Sequence, residues 1–166
     1  MKNSKQLIYL SSFYGSLLVA GIWNVPGLNF INAFCCVGTI SGSLLAIFLY
    51  KKEIGQTNLQ LTKDVCLQIG IFTGLFGAVA SSFLSVVIEL LFGNLALEIM
   101  MQLVPWNNID VPDFFNEIIN EARNQHMSIY YAVPAFLMGS IFYTFILTPF
   151  TIIGGLIGWG IFKDKN

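Results

Sequence analysis

The chain has 166 residues, of which 55% are hydrophobic and only 10% are charged, and its formal net charge is −1. Soluble domains carry about 25% charged residues, so this composition excludes an ordinary soluble domain and indicates one membrane domain over the whole chain. The small net charge and the lack of a large basic patch argue against nucleic acid as a partner.

Four long apolar stretches alternate with short polar ones, and each is predicted to be a transmembrane helix. The first two cover about residues 7–23 and 28–50, and the last two cover about residues 65–92 and 134–162. We therefore predict an all-α membrane protein whose four transmembrane helices form two hairpins.

Two prolines lie in the fourth apolar stretch and affect its predicted helix. Pro134 is predicted in the first turn of the helix, where its missing N–H leaves no hydrogen bond unmade. Pro149 lies deeper in the stretch and should kink the helix there.

The positions of the basic residues predict the orientation in the membrane. When the four stretches are threaded through a bilayer in turn, the seven lysines fall on one side and Arg123 falls on the other. These lysines are Lys2, Lys5, Lys51, Lys52, Lys63, Lys163 and Lys165. Because cytoplasmic segments retain Lys and Arg, both termini are expected in the cytoplasm. Tyr50 and Trp159 fit an aromatic belt at that surface.

The segment 93–131 is the one sizeable predicted extramembrane segment, and it is expected on the outer side. It is acidic, and it contains a predicted short amphipathic helix that Asp110 can cap. Phe114, Phe115, Ile118 and Ile119 recur at helical spacing and form its apolar face.

Small residues four apart recur in every predicted span, as in Gly38 and Gly42. Such pairs let helix backbones approach closely. The candidate packing glycines are Gly15, Gly38, Gly42, Gly70, Gly74, Gly77, Gly154 and Gly158. They either pack the four helices against each other or face a partner protein or a second copy.

A weak internal repeat relates the second and fourth spans. The segments 42–51 (GSLLAIFLYK) and 154–163 (GGLIGWGIFK) have equal length and end in an aromatic residue followed by lysine. This pattern predicts two hairpins related by a parallel repeat. Convergence is the alternative, because many inward-running helices end in this way.

Two residues are weak functional candidates. Glu89 is the acid inside a predicted span, which suggests proton or cation movement, although its place near the outer interface also fits a hydrated carboxylate. His126 is the single histidine. It could ligate a haem or chlorophyll, or lie in a solvated loop, but it cannot build a zinc site alone.

No nucleophile–base pair or metal motif is found, so we predict no enzyme, no catalytic residue and no metal site.

The chain resembles small bacterial four-helix integral membrane proteins that are catalogued as domains of unknown function. The features that carry the resemblance are the glycine-rich segment 70–77 (GIFTGLFG), the acidic helix before the last span and the ending 154–163. The resemblance implies a fold and a place in the bacterial cytoplasmic (inner) membrane. It implies no activity and no site residues.

These features favour a non-catalytic accessory or scaffold subunit. Its expected partners are the lipid bilayer and other membrane protein subunits or further copies of itself. One alternative is a small transporter or channel-forming protein. The other is a subunit that binds a pigment, quinone or haem among its aromatic residues, although the sequence identifies no particular cofactor.

Overall fold

A computed structural model of the protein describes residues 4–25, 36–55, 60–92 and 129–163. These residues form four α-helices. The helices are α1 (Ser4–Asn24), α2 (Val37–Ile54), α3 (Lys63–Phe92) and α4 (Ile129–Phe162). The predicted all-α class and the number of long helices are therefore confirmed for this part of the chain. The predicted amphipathic helix between α3 and α4 lies outside the described residues.

Three of the four helices, α1, α3 and α4, are long and apolar enough to cross a membrane. α3 and α4 contain 30 and 34 residues. Each is longer than the roughly 20 residues that cross a hydrocarbon core. α2 is shorter, with 18 residues, and its last turn carries Lys51 and Lys52. Length and composition alone therefore do not show that α2 can cross a membrane.

α2 begins at Val37, and residues 28–35 of the predicted second span lie outside the described residues. Cys36 precedes the helix in the left-handed conformation, with φ 55°. Non-glycine residues adopt this conformation only singly and not within a right-handed helix, so Cys36 marks the start of α2.

α4 begins at Ile129, so Pro134 lies inside the helix and not in its first turn. Proline in that place removes the hydrogen bond to the carbonyl of Tyr130. Tyr130 is 86% exposed at the end of the helix, where other groups can reach that carbonyl. Pro149 lies inside α4, as predicted.

α1 and α2 pack side by side in opposite directions, and so do α3 and α4. Gly15 lies against Gly42, while Trp23 further along α1 hydrogen-bonds to Thr39 earlier in α2. Along α3 and α4 the corresponding pairs are Gly70 with Thr151 and Ser82 with Gly139.

The two antiparallel pairs join through helices that run in the same direction. Along α1 and α3, Ser12 contacts Ile69 and Val19 contacts Gly77. Along α2 and α4, Ser43 contacts Gly154 and Ile47 contacts Gly158. α3 packs against both α1 and α4, and α2 packs mainly against α1 and α4. The four helices therefore form a closed bundle with α2 and α3 diagonally opposed.

The bundle interior contains small polar residues among apolar ones, and the outside is apolar. The buried polar residues of the described chain are all serines and threonines, and most have no exposed surface. They are Ser11, Ser12, Ser16, Thr39, Ser43, Thr73, Ser81, Ser82 and Thr151. Large apolar side chains such as Phe13, Phe48 and Phe83 point outward. This distribution suits a bundle that is surrounded by lipid hydrocarbon. In water it would expose a large apolar surface.

A second, apolar core lies at the end of the bundle where α1 begins. Leu7, Ile8, Ile47, Cys66 and Ile69 meet there. Tyr50 belongs to the same cluster and is only 1% exposed. Its place in an interfacial aromatic belt is therefore wrong, because its ring packs inside the bundle.

Candidate functional site

The backbones of α1 and α2 are in contact at Gly15 and Gly42. A methyl group at Gly15 would collide with the carbonyl oxygen of Gly42. A methyl group at Gly42 would collide with Cγ2 of Val19. Because the obstacle at Gly15 is a backbone oxygen, no side-chain rotation can make room for a methyl group there. These two glycines set the distance between the helices.

The contacts of α4 also depend on glycines. A methyl carbon at Gly70 would lie 2.7 Å from the carbonyl oxygen of Thr151, and one at Gly74 would lie 2.8 Å from Cα of Thr148. At Gly154 the carbon would lie 2.9 Å from the carbonyl oxygen of Ile40 in α2. α4 therefore approaches both α3 and α2 closely through small residues.

At two of the remaining candidate glycines, an added methyl group would meet a movable side chain or an ordinary contact. A methyl carbon at Gly158 would lie 2.5 Å from Cδ1 of Ile47, which is the movable end of a side chain. One at Gly77 would lie 3.4 Å from Val19, an ordinary contact. Gly38 is buried in α2. Each candidate glycine thus lies in the part of its helix that faces other helices of the chain.

Sequence reasoning missed Gly139 in α4. A methyl carbon there would lie 2.5 Å from Oγ of Ser82. The Ser82 hydroxyl donates a hydrogen bond to the Phe136 carbonyl over 2.8 Å, which crosses from α3 to α4. Ala135 and Gly139 are four residues apart, so the small-residue spacing could have revealed this contact.

Hydrogen bonds also join α1 to α3 and α1 to α2. The Ser12 hydroxyl of α1 donates to the Ile69 carbonyl of α3 over 3.3 Å. The Trp23 indole N–H donates to Oγ1 of Thr39 over 3.1 Å, which links α1 to α2. Such polar contacts specify the register of helices whose apolar faces alone would allow sliding.

Glu89 lines a groove between α3 and α4, in the last turn of α3. The groove has a volume of about 340 Å³. Its polar lining comes from Glu89, Ser82, Ser85 and Tyr143, and its apolar lining includes Met138 and Phe142. A carboxylate beside hydroxyls can accept hydrogen bonds from a cation or a protonated amine. His126, the other functional candidate, lies outside the described residues.

The opposite end of the bundle is basic. Because the helices alternate in direction, the five lysines of the described chain all lie there, and we call this end the lysine end. They are Lys5, Lys51, Lys52, Lys63 and Lys163. Among the described acids, only Glu53 and Asp64 lie at this end. The helix directions thus bring these lysines together from all four helices.

Three of these lysines have structural partners. The Lys51 ammonium donates to the Phe162 carbonyl over 2.6 Å and so caps the C-terminus of α4. This position also favours a positive charge because the helix dipole is negative there. The Lys163 and Lys63 ammonium groups lie 4.8 and 6.0 Å from the ring centre of Trp159. Trp159 therefore has two ammonium groups within cation–π range at the lysine end.

The described ranges 4–25, 36–55, 60–92 and 129–163 contain no group of three or more His, Cys, Asp or Glu residues that could hold a metal ion.

No family model, curated protein or solved structure matches the chain. The resemblance to small bacterial four-helix membrane proteins therefore stays a prediction. Function is inferred below from the contacts, burial and charge of the described residues.

Proposed function

We propose that the protein is an integral membrane protein with four transmembrane helices in two hairpins and with the lysine end in the bacterial cytoplasm. Three helices have the length and composition for crossing a membrane. The collection of lysines at one end supports the orientation, because cytoplasmic segments retain basic residues.

The contacts of α2 support its crossing of the membrane as the fourth helix. Gly42 and Ser43, in the middle part of α2, contact α1 and α4 respectively. α2 therefore lies at the same depth as two helices that can span. From Val37 to Tyr50 it covers about 20 Å, at about 1.5 Å per residue. A crossing of about 30 Å would also need residues before Val37 and the long stems of Lys51 and Lys52.

Within the membrane, the protein acts as a non-catalytic accessory or scaffold subunit that packs against other membrane proteins or further copies of itself. The observation that carries this proposal is a row of large side chains on α4. Met138, Phe142 and Phe145 are 70%, 62% and 76% exposed. They follow each other at spacings of four and three residues, which is the pattern that packs into a neighbouring helix.

Purification in mild detergent, followed by mass spectrometry of the intact complex, tests the subunit role. We expect a stoichiometric partner or a defined oligomer that dissociates when Phe145 is replaced by alanine. Phe83→Ala is the matched control, because Phe83 is 61% exposed on α3, outside the row. A solitary monomer, or equal loss of the complex in both variants, would contradict the proposal.

A small transporter is the second candidate, and the Glu89 groove favours it. A carboxylate in a groove between two spanning helices could carry protons. Proton flux into vesicles containing the purified protein, read with an internal pH dye, would support this function if Glu89→Gln abolished it. Unchanged flux in that variant would show that Glu89 does not carry the protons.

A further inference from the structure

A second groove, between α1 and α3 at the lysine end, has a polar mouth and an apolar wall. Its volume is about 310 Å³, and it is lined by Lys5, Ile8, Tyr9, Gln68 and Phe72. Lys5 lies in the first turn of α1, and Gln68 lies in the second turn of α3. An ammonium and an amide therefore lie at the end of the groove nearest the membrane surface.

Aromatic rings form the wall of this groove further along the bundle. The rings of Tyr9 and Phe72 meet edge to face, with their centres 4.8 Å apart. Phe72 in turn stacks on Phe76, one turn deeper in α3, with the ring centres 6.0 Å apart. The groove thus changes from cationic to aromatic along the direction in which a lipid of that leaflet would lie.

We propose that this groove binds an anionic phospholipid, with its phosphate at Lys5 and Gln68 and an acyl chain along Tyr9 and Phe72. Basic pockets between transmembrane helices on the cytoplasmic side are suited to lipid phosphates. The other lysines of this end add a favourable field. The proposal depends on the membrane location of α1 and α3 and is independent of the subunit role.

The surroundings of the other lysines explain why Lys5 is the lipid ligand. Lys51 donates to the Phe162 carbonyl, and Lys63 and Lys163 lie beside the Trp159 ring. Lys52 lines a smaller groove between α1 and α2, but Glu53 lines the same groove and its carboxylate would repel a phosphate. The Lys5 groove contains no carboxylate in its lining.

The test is a lipid titration of the full-length protein, purified in mild detergent and followed by native mass spectrometry. Phosphatidylglycerol is the anionic probe, phosphatidylcholine is the zwitterionic control, and glycerol phosphate represents the headgroup without chains. Lys5→Gln removes the cation in the groove. Lys163→Gln removes a cation at the same end of the bundle but outside the groove, and both side chains are on the surface.

We expect phosphatidylglycerol to bind more tightly than phosphatidylcholine and glycerol phosphate to bind weakly. Lys5→Gln should weaken phosphatidylglycerol binding about fivefold, which corresponds to about 1 kcal/mol for one lysine near the surface. Lys163→Gln should change it less than twofold. Equal losses in the two variants would mean that only the general surface charge attracts the lipid. That result, the absence of anionic preference, or equally tight binding of glycerol phosphate would overturn the proposal.

Discussion

At the scale of single residues, the distance between α1 and α2 depends on the absence of one methyl group. Gly15 meets the Gly42 carbonyl oxygen, and a methyl carbon at Gly15 would also lie 2.8 Å from Cβ of Ala46. Gly160 provides the contrast, because nothing lies within 4 Å of the position that its methyl carbon would take.

We therefore expect Gly15→Ala to destabilise the bundle by about 1–3 kcal/mol, the usual cost of overpacking a tight core. The measurement is reversible unfolding in mixed micelles with increasing SDS. Gly160→Ala is the control and should be neutral or slightly stabilising, since alanine favours a helix more than glycine. Equal stability of the two variants would show that α1 and α2 do not pack through these glycines.

The hydrogen bond from Trp23 to Thr39 allows a second test at this scale. Thr39→Val keeps the shape of the side chain but removes the acceptor of the indole N–H. We expect a loss of about 1 kcal/mol in unfolding free energy, since polar contacts between membrane helices contribute amounts of this order. Trp23→Phe removes the donor, so in that background Thr39→Val should lose clearly less than in the native protein. An equal loss in both backgrounds would contradict the hydrogen bond.

At the scale of helices, the antiparallel packing of α3 on α4 predicts a specific cross-link. The Cβ of Ser82 lies 3.5 Å from the position that a Cβ on Gly139 would take. Disulfides join Cβ atoms about 3.5–4.5 Å apart. In a variant whose native cysteines are replaced by alanine, S82C with G139C should form a disulfide under mild oxidation.

The cross-link is measured as the loss of both thiols to a maleimide reagent after oxidation in the membrane. The control pair is S82C with I141C, because Ile141 is 57% exposed on another side of α4. Cross-linking of the control pair and not of S82C with G139C would mean that the helices meet through other faces.

The sequence predicted the helices better than their ends. Apolar length predicted α1 and α3 with small errors, because long apolar runs need helical hydrogen bonding in a membrane. It did not indicate that α2 has a helix start at Val37, because the left-handed conformation of Cys36 has no signal in hydropathy. It misplaced the start of α4, because proline normally ends or begins a helix, whereas Pro134 lies inside one.

The candidate sites were harder to predict from the sequence than the helices were. Small-residue spacing identified Gly15 and Gly70, because close backbone approach requires them. It could not indicate which helix each of them contacts. The groove at Lys5 and Gln68 joins residues that are far apart in the chain, and only the parallel packing of α1 and α3 brings them together.

At the scale of the whole molecule, the apolar exterior and the lysines at one end point to the same surroundings. Serines and threonines lie at many of the contacts between helices. Some of their hydroxyls donate to a helix carbonyl, as Ser12 does to Ile69. Within the described chain, other hydroxyls are buried without a hydrogen-bond partner, namely those of Ser43, Thr73, Ser81 and Thr148. Large apolar side chains cover the outside, and lysines from four helices gather at one end. The apolar exterior suits helices that cross a bilayer, and the lysines at one end support the proposed orientation.

The crossing of α2 is the part of this account that its length and composition leave open. Val37 and Lys52 lie near opposite ends of α2 and both are exposed. In a cysteine-free protein, V37C and K52C provide single thiols near the two ends of this helix. An impermeant maleimide is added to inside-out and right-side-out membrane vesicles, and the labelled fraction is measured for each variant.

We predict that K52C is labelled only from the cytoplasmic face and V37C only from the opposite face. That result would establish that α2 crosses the membrane with the lysine end in the cytoplasm. Labelling of both thiols from the same face would contradict the four-helix topology.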